Sequence, residues 1–101
     1  MAPTDAVVPV AECVVDHNDG TFTARFGYRN DNEAAVAVPI GPDNRFQFGR
    51  RDRGQPTLFQ PGTVENAFSV TFRFGRLTWQ LRGPDGVRRT AVATRHSMAC
   101  P

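Results

Sequence analysis

Apolar residues recur at every second position in "TFTARFGYR" (21–29), "AFSVTFRF" (67–74) and "LTWQLR" (77–82). A period of two sends successive side chains to opposite faces of a pleated strand, whereas a helix needs a period near 3.6. In the first stretch Phe22, Ala24, Phe26 and Tyr28 share one face, and Thr21, Thr23, Arg25 and Arg29 share the other. The second gathers Phe68, Val70, Phe72 and Phe74, and the third Leu77, Trp79 and Leu81. No segment sustains a helical period. The chain is therefore confined to antiparallel sheets that bury one face and leave the other wet.

Turn residues cut these runs at short intervals. "VVPVAECVV" (7–15) is β-branched, but Pro9 withholds a ladder donor, which predicts an edge strand or one that switches sheets. "DHNDG" (16–20), "NDNE" (30–33), "GPDN" (41–44), "GR" (75–76) and "GPDG" (83–86) read as turns. Between them, "AAVAVPI" brings Val36, Val38 and Ile40 to one face, "RFQF" points Phe46 and Phe48 inward, and "VRRTAVATR" is the last strand. The prediction is an all-β chain: one antiparallel β-sandwich domain over 1–101, with about seven strands.

Cys13 and Cys100 are the two cysteines, and they bracket nearly the whole domain. A disulfide between them would close a long loop, stabilising by roughly 4–5 kcal/mol in the chain-entropy account. Such a bond persists in an oxidising compartment, so the pairing predicts an extracellular or cell-surface location; two free thiols are the alternative. Neither cysteine has a second cysteine at ligand spacing, and no metal site is expected. "MAPTDAVVPVAEC" has no basic start and no continuous apolar run, and is not read as a leader, which an exported protein would carry outside this sequence. No apolar run reaches the roughly 18 residues of a membrane span, so no membrane insertion is expected. The basic residues are twelve arginines and no lysine, and the net charge of +2 is too small for a nucleic-acid footprint.

Two longer patterns carry a resemblance. "YRNDNEAAVAV", where a strand runs into an Asn-rich turn, and "LFQPGTVENAFSVTF", where a Pro-Gly turn launches a strand, resemble bacterial immunoglobulin-like domains of cell-adhesion type. The likeness covers the chain from about Glu12 to Leu81 and extends to short modules carried by large exported bacterial proteins. It implies an immunoglobulin-like sandwich that is non-catalytic, has no cofactor, and spaces or adheres beside other domains of the same polypeptide. It carries no ligand-binding residues with it.

The residues themselves offer little catalytic chemistry. His17 sits in a turn and His96 near the C-terminus, and no nucleophile elbow, HExxH or P-loop is present. "DHNDGT" places Asp16, Asn18 and Asp19 beside a glycine, but the spacing is too compressed for a calcium loop and reads as a hairpin turn. Tyr28 and Trp79 would be the aromatic platform of a carbohydrate-binding accessory module, the second functional reading; both are in phase with the apolar faces and are expected in the core. The alternation fails in "NRFQFGRRDRGQPTLFQPG" (44–62). There Arg45, Arg50, Arg51 and Arg53 against Asp52 leave a local excess of three positive charges, four minus one. With Gln55 and an exposed Phe59 or Phe48, this stretch is the candidate recognition loop for an acidic glycan or an acidic protein surface. An Asp52–Arg53 brace within "DRGQP" is expected to shape it, and a plain crossing between sheets is the alternative.

Overall fold

The computed structural model describes residues 3–101 and contains eight strands and, among the described residues, no helix. These are β1 (Val7–Asp16), β2 (Phe22–Asn30), β3 (Val36–Ala37), β4 (Asn44–Phe46), β5 (Leu58–Phe59), β6 (Gly62–Phe72), β7 (Arg76–Arg82) and β8 (Arg88–Thr94). One antiparallel sheet has the order β1-β2-β6, a second the order β4-β7-β8, and β3 pairs with β5 in a short ribbon. β1, the strand with Pro9, lies at a sheet edge, as the missing proline donor requires.

The alternating stripes of the two larger sheets meet in one aromatic core. Trp79 of β7 is fully buried, edge-on to Phe26 of β2 at 5.9 Å between ring centroids and to Phe68 of β6 at 4.9 Å. Phe46 of β4 lies nearly parallel to it at 6.2 Å, and Phe59 of β5 at 6.4 Å. Tyr28 is buried as well, edge-on to Phe59, and its hydroxyl accepts from the Gln60 amide at 2.9 Å. Both residues considered as sugar-stacking platforms therefore belong to the core.

Two phenylalanines depart from the alternation, and both have a local cause. Phe48 is 74% exposed because β4 ends at Phe46, whose amide bonds back to the Arg51 carbonyl at 3.0 Å. Past that point Phe48 has φ 59, outside any strand conformation. Phe74 is 87% exposed because β6 ends at Phe72 and Arg73–Gly75 form the turn into β7, closed by Gly75 at φ 82. This is a three-residue hairpin with a left-handed glycine last, not the two-residue turn expected at 75–76.

The cysteines are joined: Cys13 and Cys100 form a disulfide with Cα atoms 4.9 Å apart. The tail is also laid along β1 by hydrogen bonds from the Val14 amide to the Met98 carbonyl and from the Cys100 amide to the Val14 carbonyl. Cys100 lies beyond β8, so the bond ties a terminal segment, not a strand, to β1. Beside it Glu12 occupies a bulge in β1, and its carboxylate accepts from the Asn66 amide of β6 at 2.9 and 3.0 Å. The side chain crosses β2 at Gly27, where a Cβ would lie 2.5 Å from Glu12 Oε2 and from the Val64 carbonyl. Only glycine leaves that passage open.

Replacing Trp79 with alanine empties the centre of the aromatic cluster. The expected cost is about 3–5 kcal/mol, measured by denaturant unfolding, as for other buried aromatics cut back to alanine. A loss under about 1 kcal/mol would mean that the core does not depend on this ring.

Candidate functional site

The segment from 47 to 57 is a crossing between sheets whose shape comes from side-chain bonds to its own backbone. Gln55 is only 5% exposed: its Oε1 accepts from the Arg53 amide at 2.8 Å and its Nε2 donates to the Arg51 carbonyl at 2.9 Å. Asp52 Oδ1 accepts from the Gly54 amide at 3.0 Å, and Gly54 takes φ 89. The expected Asp52–Arg53 ion pair is not formed. The brace is Gln55, because a planar amide can accept from one loop amide and donate to a loop carbonyl at once, which a carboxylate cannot.

The seven loop candidates separate into three groups. Arg50, Asp52 and Arg53 line a polar cleft of about 420 Å³, together with Gly54 and with Ser69, Val70 and Thr71 of β6. Arg45 and Arg51 line a second recess of about 290 Å³ with Phe46, Gln47, Phe48 and Gly49. Arg45 is held on the outer face of its sheet, where its Nε donates to Gln80 Oε1 at 3.0 Å. Gln55 and Phe59 face inward, and Phe59 is fully buried. The expectation of an exposed Phe59 fails because β5 pairs with β3 and turns that ring towards Trp79, leaving Phe48 as the loop's exposed aromatic.

Electrostatically the first cleft is positive and unsatisfied. Among the described residues the ion pairs are Arg29–Asp31 and Arg89–Asp85, and none reaches the loop. Arg50 and Arg51 are exposed, Arg53 is half-buried, and the Arg53 Nε is buried with no hydrogen-bond partner. The exposed guanidinium of Arg50, with no ion pair among the described residues, is suited to a carboxylate, sulfate or phosphate supplied from outside. On the neighbouring outer face of β2 and β6, the His17 ring Nε2 lies 2.8 Å from Thr23 Oγ1, which in turn lies 2.9 Å from Thr71 Oγ1.

The remaining ionisable candidates serve local turns. Asp16 Oδ1 accepts from the Asn18 amide, and Asp19 accepts from the Thr21 hydroxyl and amide. Those Thr21 bonds, the hydroxyl first, hold the Asp19 carboxyl below the usual carboxylate range. The turn at 16–20 is thus a hairpin that uses its own carboxylates, with Asn18 and Gly20 at positive φ. His96 is exposed and its Nε2 accepts from Arg95 Nε at 3.2 Å.

Ser69 and Thr71, the β6 wall of the cleft, are invisible to sequence reasoning because they are ordinary polar-face residues of an alternating strand. Only the crossing's return past β6 makes them part of a site. No protein-family model, curated protein or solved structure matches the chain.

The bracing arrangement makes a prediction that separates shape from surface. Gln55→Ala leaves the Arg53 amide and the Arg51 carbonyl without their partner, and is expected to cost about 1–3 kcal/mol. Arg50→Ser with Arg51→Ser changes exposed side chains and is expected to stay within about 0.5 kcal/mol each. Thermal melts of the two variants check this; equal losses would contradict it.

Proposed function

We propose that the chain is a non-catalytic immunoglobulin-like β-sandwich module, acting as a spacer or adhesion domain within a larger exported bacterial protein. The observation that carries the reading is the strand order. In the immunoglobulin arrangement the first, second and fifth strands share one sheet, and the third, sixth and seventh share the other. Setting the two-residue β3 aside, the orders β1-β2-β6 and β4-β7-β8 follow that plan. β5 stands fourth in that count but pairs with β3, so the edge of β6 that a fourth strand would cover carries none. Two antibody-type hallmarks also differ: the buried tryptophan is on β7, and the disulfide joins β1 to the tail.

The disulfide supports export, because a bond of this kind persists in oxidising surroundings. The glycan-binding alternative loses the two aromatics that would have served it, since Tyr28 and Trp79 are both buried. The experiment is a pull-down on insoluble polysaccharides. A spacer or protein-adhesion module shows no saturable retention on any of them. Saturable retention, abolished by serine at Arg50, Arg51 and Arg53, would overturn the reading in favour of a carbohydrate-binding module.

A further inference from the structure

β6 is the outer strand of its sheet, paired with β2 on one side. Among the described residues no backbone hydrogen bond reaches its other edge. Ser69, Val70 and Thr71 all line the 420 Å³ cleft, although Val70 is buried and its two neighbours are exposed. Successive side chains of a strand point to opposite faces. Three in a row can meet one cleft only where it runs along the strand's edge, against alternate unpaired N–H and C=O groups. The opposite wall carries Arg50 and Arg53, with Asp52 already engaged by the Gly54 amide.

An open edge is a template for another strand, and proteins usually blunt it with lysine, proline or a bulge. The irregularity in the β2–β6 register lies between Phe26 and Tyr28, and the pairing from Phe68 to Phe72 is regular. That stretch contains neither proline nor lysine. What guards it is a wall with two arginines to one aspartate and, among the described residues, no ion pair between them, so that its net positive charge selects by charge.

We propose that this cleft takes an extended acidic peptide segment of a partner protein, which adds a strand to β6 and sets carboxylates against Arg50 and Arg53. Backbone bonds to the edge supply affinity and the arginines supply the choice of partner. A second copy of this chain fits poorly, because pairing β6 with β6 would bring two arginine-bearing crossings to one edge. The inference rests on the cleft and not on the spacer reading, and it holds or fails apart from polysaccharide retention.

The test uses a fluorescent capped peptide of about six residues, alternating glutamate and threonine, a length typical of a strand. Binding to the full chain is followed by anisotropy, and the amides of residues 69–72 by NMR. Saturable binding is expected, weakening as salt rises, with shifts at 69–72. N-methylation of the peptide at one set of alternate residues should abolish it and at the other set should not, because only one set faces β6. Arg50→Ser with Arg53→Ser should weaken it at least about tenfold without lowering the melting temperature. The proposal is overturned by equal binding of the same peptide with lysine in place of each glutamate, or by indifference to both methylation patterns. It is also overturned by shifts confined to other strands, by self-association through β6, or by no saturation up to about 1 mM. Tighter binding of a sulfated oligosaccharide with the same shifts would give the cleft to a glycan instead.

Discussion

The hydrogen bond from Trp79 Nε1 to Asn44 Oδ1, 2.9 Å long and fully buried, is the contact on which the rest of this structure depends. A tryptophan can sit at the centre of an apolar core only if its N–H finds an acceptor there. Asn44 supplies it, and its own amide then donates to the Val38 and Pro56 carbonyls at 2.9 and 2.8 Å. One side chain thus links the aromatic core to the segment before β4 at Val38 and to the far end of the crossing at Pro56. Asn30 does the same for the earlier turn, donating to the Ala34 and Phe59 carbonyls and accepting from the Asn32 amide and side chain. Buried amides of this kind cost little only when every donor and acceptor is matched, which makes the chain's irregular segments as specific as its strands.

This explains how a domain with much non-strand chain between residues 31 and 57 still presents a defined surface. Asn44 anchors the end of the crossing at Pro56, and Gln55 fixes the shape of its turn from 51 to 55. Its arginines are therefore left at the rim with the open edge of β6 across from them. At the other edge of the same sheet the disulfide ties β1 to the tail, and the Glu12–Asn66 bonds join β1 to β6 across β2. One edge is stapled and the other is open, and the open one is where charge collects.

The all-β class, the aromatic stripes and the disulfide were legible because each follows from a rule of short range or simple count: alternation, turn chemistry, two cysteines. Where the rules were extended past a strand's last hydrogen bond they failed. Phe48 and Phe74 continue their stripes in sequence, yet the ladder has stopped, and nothing then compels a side chain inward. The site was legible as a charged stretch but not as a surface. Gln55 and Phe59 read as loop residues and turn out to be internal supports, because burial in an irregular segment depends on tertiary partners. Asn44 in "GPDN" has the look of a turn former, and its bond to a residue 35 positions away leaves no local signature.

Hydrogen exchange of the Trp79 indole N–H in the native protein tests the central claim most directly. If that bond anchors the crossing to the core, the indole proton exchanges only when the whole domain unfolds, with an opening free energy equal to the global stability. Its rate should then fall in step with that of the β2 and β7 amides as denaturant is withdrawn. Exchange through a local opening, at a free energy well below the global value while those amides stay protected, would contradict it. The crossing would then lift off its core independently, and the shape of the arginine cleft would not be set by Asn44.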